Sequence, residues 1–177
     1  HEPEAEKVLY VDHSGSRLPE PTPTPPSFVF DDNNYTDGVF TRIELDRQKD
    51  DSTQERSIVT VLVTIFENNA NNYGGAIHLV NYGLECDSAQ FKGCTSNVGG
   101  GGGIYIRNNG NQQNNIDIKN LVLVSCKAQY GGGIYIYSSN ENNDVLIDTC
   151  QFSNNQATLS SSENGLHGGA SIFLSAR

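Results

Sequence analysis

Apolar and polar residues alternate in short runs along most of the chain. Ile104-Tyr-Ile106 and Ile116-Asp-Ile118 alternate, and Leu121-Val-Leu-Val-Ser-Cys126 reads as another short strand. No stretch keeps a 3.6-residue apolar period, so the pattern predicts short strands joined by turns and no long helix. The runs also recur. Gly-Gly-Ala-Ile77-His-Leu, Gly-Gly-Gly-Ile104-Tyr-Ile, Gly-Gly-Gly-Ile134-Tyr-Ile and Gly169-Ala-Ser-Ile172-Phe-Leu end successive units, with Asp37-Gly-Val-Phe40 as a weak first version. Each follows an aromatic or Cys, two residues, then Asn or Gln: Phe30-Asp-Asp-Asn33, Phe66-Glu-Asn-Asn69, Cys94-Thr-Ser-Asn97, Cys126-Lys-Ala-Gln129 and Phe152-Ser-Asn-Asn155. Five units of about 30 residues result. Asn-rich segments of variable length separate the runs, and the charged stretch Glu44–Arg56 reads as the longest loop.

A unit of this size with three short strands cannot bury its own apolar face. Stacking copies at the inter-strand spacing of about 4.8 Å solves the problem. The fold class is therefore all-β, a solenoid of about five coils. Ile77, Ile104, Ile134 and Ile172 are expected to form one internal column, and Leu79, Ile106, Ile136 and Leu174 the next. Phe30, Phe66, Cys94, Cys126 and Phe152 are expected to form a third, with Ile58, Cys86 and Ile118 as a fourth. The glycines before each Ile suit a tight turn with positive φ. The Asn of the motif suits a left-handed turn, with its amides laddering between coils.

Phe-x-x-Asn followed by Gly-Gly-Ala-Ile resembles the repeat of the chlamydial polymorphic outer-membrane proteins and similar repeats in protist surface proteins. The resemblance spans roughly residues 30–175 and is closest at Phe66–Leu79 and Phe152–Leu174. It implies a right-handed parallel β-helix with a role in surface adhesion or scaffolding.

Composition divides the chain in two. All six prolines fall at or before Pro26, and Glu20-Pro-Thr-Pro-Thr-Pro-Pro-Ser27 reads as a polyproline-II spacer. Residues 1–27 are thus an extended arm and 28–177 the β-helix. Val8-Leu-Tyr-Val11 (Val8, Leu9, Tyr10, Val11) is an orphan strand in that arm, suited to adding onto a neighbouring subunit. The chain starts at His1 and contains no Met, which suggests a processed or excised piece of a secreted precursor. The net charge of -10 argues against nucleic acid and against anionic membrane surfaces as partners. Apolar runs are too short for membrane insertion by a helix of this chain.

Candidate chemistry is sparse. His78, Tyr105, Tyr135 and Phe173 each follow an inward Ile and are expected to form an exposed aromatic ladder. That ladder is either a sugar- or partner-binding stripe or cross-strand packing. Cys94 and Cys126 occupy equivalent motif positions, with Cα atoms about 5 Å apart, within disulfide range. Buried thiols replacing Phe, or the pairs Cys86–Cys94 and Cys126–Cys150, are the alternatives. Asn34-Tyr-Thr36 is a glycosylation sequon, and Thr22, Thr24 and Ser27 suit O-glycosylation. The cysteine spacing fits no metal site, and the Asp31–Gly38 turn departs from the EF-hand pattern. No cofactor is implied, since the Gly-rich runs lack the Lys-Ser/Thr and helix of a phosphate-binding loop. Asp117 and Asp148 are the acids best placed for polysaccharide chemistry, but a catalytic pair needs a definite spacing and partners. The first reading is a non-enzymatic secreted or cell-surface structural or adhesive protein that polymerises head to tail with copies of itself. The second is a polysaccharide-binding or polysaccharide-processing β-helix, for which glycans are the partner.

Overall fold

A computed structural model describes residues 27–31, 43–46, 58–110, 113–158 and 169–176. Val8, Leu9, Tyr10, Val11, Thr22, Thr24 and Asn34 lie outside the described residues, as does most of the Asp31–Gly38 turn. Two strands, β1 (Ser27–Asp31) and β2 (Ile43–Asp46), precede the continuous part. Then follow β3 (Ile58–Leu62), β4 (Ile65–Glu67), β5 (Ala70–Asn71) and β6 (Ile77–Val80). The next turn is β7 (Gly83–Asp87), β8 (Gln90–Lys92), β9 (Thr95–Ser96) and β10 (Ile104–Asn108). After it come β11 (Ile116–Lys119), β12 (Val122–Val124), β13 (Lys127–Ala128) and β14 (Ile134–Ser138). The last are β15 (Val145–Asp148), β16 (Gln151–Ser153), β17 (Gln156–Ala157) and β18 (Ile172–Ala176). No helix occurs among the described residues.

All strand pairs are parallel, and apart from β1, which lies on β3, each strand stacks on the one four places along: β1-β3-β7-β11-β15, β18-β14-β10-β6-β2, β16-β12-β8-β4 and β17-β13-β9-β5. This is a parallel β-solenoid. The described stretch winds about three turns, fewer than the five units read from the repeats. The first unit is described only by β1 and β2.

The two isoleucine-led columns run as the alternation predicts. Ile43, Ile77, Ile104, Ile134 and Ile172 are register partners, as are Leu45, Leu79, Ile106, Ile136 and Leu174. Ile43 and Leu45 extend both columns by one rung. The first unit therefore enters this sheet at Ile43, not at Val39-Phe40, and Glu44 and Asp46 belong to a strand rather than to a charged loop.

The third and fourth columns correct the sequence reading. Phe66 stacks on Phe91, Leu123 and Phe152, not on Cys94 and Cys126. The Phe66 and Phe91 rings are 4.9 Å apart and within 12° of parallel. Phe30 pairs with Val61 in the column Val61, Cys86, Ile118 and Ile147, while Ile58 lies opposite Gly83. The motif in the middle units is thus Phe91-Lys-Gly-Cys94 and Leu123-Val-Ser-Cys126, three residues upstream of where the cysteines suggested. The cysteines replace the Asn, not the Phe.

Hydrogen bonding explains that replacement. Asn155 points inward, accepts from the Cys126 N–H at 2.9 Å and donates Nδ2 to Leu123 O at 3.0 Å. One turn earlier Cys126 Sγ approaches Phe91 O at 3.6 Å, and before that Cys94 Sγ approaches Phe66 O at 3.6 Å. Asparagine amide and thiol make the same link between turns, the thiol more weakly.

The left-handed residue is the one before this inward position. Asn68, Gly93, Ser125 and Asn154 have φ of 53–62° at one corner, and Val63, Ser88, Asn120 and Thr149 have φ of 47–57° at another. Gly74, Gly101 and Gly131, ahead of the inward isoleucines, have φ of +54, +65 and +50°, as expected of that tight turn. Chain direction is reset by the same backbone device at each turn, which fixes the register.

The remaining corner, between the β6-type and β7-type strands, varies in length. Asn81 Oδ1 there accepts from the N–H groups of Asn109 and Gly110 at 2.9 and 3.1 Å. Asn143 Oδ1 accepts from Asn114 N–H at 2.7 Å, and Asn115 Oδ1 from Asp144 N–H at 3.3 Å. Side-chain amides of one turn thus satisfy the backbone of the next where no strand ladder does.

Candidate functional site

The outward face of the sheet β2-β6-β10-β14-β18 carries one residue per turn directly after the inward Ile: Glu44, His78, Tyr105, Tyr135 and Phe173. The pleat sends alternate residues to opposite faces, so burying Ile104 turns Tyr105 outward. Tyr135 stacks on Tyr105 at 4.9 Å and on Phe173 at 4.8 Å, each pair within 4° of parallel. His78 meets Tyr105 edge-on at 5.1 Å, and its Nδ1 lies 3.2 Å from Glu44 Oε1.

The ladder is formed but not fully exposed, which corrects the expectation. His78 and Tyr105 are each only 9% exposed. Tyr73, which precedes a Gly-Gly run, folds back over these two, and Tyr130 does the same beside Tyr135 and Phe173. Tyr73 lies 5.8 Å from His78 and 5.4 Å from Tyr105; Tyr130 lies 6.3 Å from Phe173. Ring pairs of this kind contribute about 0.5–1.5 kcal/mol each beyond burial, so much of the ladder's work is packing. Gly99 lets Tyr73 lie flat, because a Cβ there would sit 2.2 Å from the ring. The sequence does carry a signal for these residues: Tyr73 and Tyr130 both stand four residues before the inward Ile, at Ile77 and Ile134.

Tyr73 remains 40% exposed and forms one wall of an open cleft of about 370 Å³. Glu44, Ala70, Asn71, Asn72 and Asn97 complete its lining. The Asn72 carbonyl accepts from Ser96 Oγ at 2.8 Å, Gly99 N–H at 3.0 Å and Val98 N–H at 3.2 Å. Asn97 N–H donates to Asn71 O at 2.7 Å. The floor is therefore held by two successive turns of the solenoid. The cleft offers one carboxylate, several amides and a ring face.

Burial, followed by the neighbouring phenol of Tyr135, raises the Tyr105 phenol to about 12, against the pull of Arg107. Burial also raises Tyr135. A phenol whose pKa is higher in the folded state stabilises the fold fully below about 10, and that contribution is lost as pH rises from about 10 to about 12. The melting temperature is expected to fall across this window, and Tyr105→Phe to reduce the fall. A Tyr105→Phe protein with an unchanged alkaline profile would show that the ring is not buried in solution.

The cysteines are free thiols. Cys94 and Cys126 precede the paired residues Thr95 and Lys127, so they are stacked neighbours one strand spacing apart, within disulfide range. The hydrogen bond to Cys126 and burial push the Cys94 thiol up, and burial pushes Cys86 up. Cys86 and Cys150 belong to other columns.

Asp117 lies opposite Glu85 on one side and Leu146 on the other, and Lys119 lies between Asp87 and Asp148. Lys119 Nζ bonds Asp117 Oδ2 at 2.7 Å, which raises the lysine. Asn120 and Ser88 hydrogen bonds lower Asp87. These charges read as a solvated surface network. Among the described residues no group of three or more His, Cys, Asp or Glu converges as a metal site would require, and no helix is long and apolar enough to cross a membrane. Ser27, a proposed glycosylation residue, opens β1.

No protein-family model matches the chain, and no curated protein and no solved structure matches it.

Proposed function

We propose that the chain is a non-enzymatic structural or adhesive protein of the cell surface or extracellular space, and that its solenoids join head to tail. One observation carries the reading. The inward column Leu45, Leu79, Ile106 and Ile136 is 0–5% exposed, yet its last rung, Leu174, is 51% exposed. Ile172, Val145, Ile147 and Phe152 are only partly buried on the same end. Among the described residues no strand pairs beyond β15, β16, β17 or β18, and an apolar edge of this kind accepts a further strand. The apolar run Val8–Val11 of the arm is the proposed donor, and a head-to-tail contact propagates into a filament unless its rotation closes a ring. The repeat's resemblance to chlamydial surface proteins supports a surface role, and glycans on Asn34 or the Pro/Thr spacer fit that setting.

Sedimentation and negative-stain microscopy of the full chain test this. Wild type is expected to form linear assemblies. Leu174→Glu, and separately deletion of residues 1–12, are expected to give monomers with an unchanged β circular-dichroism spectrum. A wild-type protein that stays monomeric at high concentration, or variants that assemble as before, would overturn the reading.

A further inference from the structure

We propose that the cleft beside Tyr73 is a binding site for a neutral oligosaccharide. The argument begins with what the cleft leaves unpaired. The side-chain amides of Asn72 and Asn97 are exposed and bond to no other described residue. Each amide offers two donors and an acceptor in a plane, which matches the adjacent hydroxyls of a sugar ring. Tyr73 adds a partly exposed aromatic face for the C–H side of that ring, and its hydroxyl is a further polar handle. Glu44 contributes an acceptor for hydroxyl protons. The volume of about 370 Å³ lies within the usual range for small-ligand sites, about 300–1,000 Å³.

Other ligand classes fit less well. The chain carries a net charge of -10 and the cleft holds a carboxylate, so anionic sugars, phosphates and nucleic acids are repelled. The lining has no deep apolar pocket for a peptide anchor. The cleft lies beside β2 and β5, the outermost described strands of their sheets, but its lining of Glu44, Asn71, Asn72 and Asn97 is polar and does not match an added apolar strand such as Val8–Val11.

The site is also held in place before any ligand arrives. Hydrogen bonds from Ser96, Val98 and Gly99 onto the Asn72 carbonyl fix the turn that carries Asn72 and Tyr73. The missing Cβ of Gly99 sets the tilt of the ring. Little ordering cost remains to be met on binding, which favours affinity from a small contact area.

Isothermal titration of the full chain with cellohexaose, laminarihexaose, chitohexaose and hexagalacturonate tests the proposal. At least one of the neutral hexasaccharides is expected to bind. Tyr73→Ala is expected to weaken it by about tenfold or more, and Asn97→Ala by several-fold. Asn97→Ala removes an exposed side chain with no protein partner, so its melting temperature should match wild type and its loss of binding reports the cleft. Tyr137→Ala, on the same sheet outside the cleft, should bind as wild type does. Failure of all neutral hexasaccharides to bind, hexagalacturonate binding as tightly as they do, or Tyr73→Ala and Asn97→Ala retaining wild-type affinity would overturn the proposal. None of these readouts depends on head-to-tail assembly.

Discussion

Ile104→Asp is expected to abolish folding. Ile104 lies between Ile77 and Ile134 in the inward column, and all three are fully buried. A carboxylate there would face stacked aliphatic side chains above and below, with the backbone donors of its own strand already committed to the ladder. An uncompensated buried charge costs several kcal/mol, about 3–5 when a pair is broken, and loss of the isoleucine adds about 2–3. The sum rivals the whole stability margin of a domain, about 5–15 kcal/mol. Ile104→Val, which keeps the column apolar, should cost only about 1 kcal/mol. Urea unfolding followed by circular dichroism separates the two. An Ile104→Asp protein with a near-wild-type midpoint would mean that the inward register is wrong.

Gly102→Ala is expected to destabilise the fold for a different reason. The backbone of Gly102 approaches the next turn so closely that a Cβ would lie 2.2 Å from Gly132 O, 2.6 Å from Lys127 N and 2.8 Å from Lys127 O. All three are backbone atoms, so no side chain can swing aside. The same approach recurs one turn either way, with a Cβ at Gly75 meeting Gly102 O at 2.1 Å and one at Gly132 meeting Ala170 O at 2.4 Å. Relief requires prising two turns apart at the corner where their ladder is continuous. Overpacking of this kind costs about 1–3 kcal/mol or more. Gly110→Ala is the control: its nearest neighbour atom would be 3.5 Å away, so its midpoint should stay within about 0.5 kcal/mol of wild type. Equal midpoints for the two alanine variants would refute the close approach.

The solenoid was legible because its core obeys the simplest rule. A pleated strand repeats every two residues, and Ile77, Ile104 and Ile134 each follow glycine and precede an alternating partner. The Phe column was less legible because Cys94 and Cys126 looked like substitutes for an aromatic. Their real equivalence is to Asn69 and Asn155, through a hydrogen bond that sequence alone does not display. Ile43 was missed because no Gly-Gly precedes it and charged residues follow. The aromatic column was legible as a stack. Its burial was not, because the covering rings of Tyr73 and Tyr130 come from turns, and Tyr73 can lie over the sheet only because residue 99 is glycine.

The asparagine-stitched corner carries a consequence for how such a chain can diversify. Two residues bridge it at 81–82, whereas the later turns pass through 109–115 and 139–144. Amides reaching from Asn81, Asn115 and Asn143 serve the backbone of neighbouring turns whatever the excursion between them. Residues can therefore be gained or lost there without shifting the columns beneath. The corners after the β3-type and β4-type strands hold two residues in every turn, locked by their left-handed positions, while the run into the β6-type strand also varies, with 72–76, 97–103 and 129–133 in successive turns. Variation is thus channelled to two of the four corners, which act as a display surface whose content can drift while the scaffold underneath stays in step.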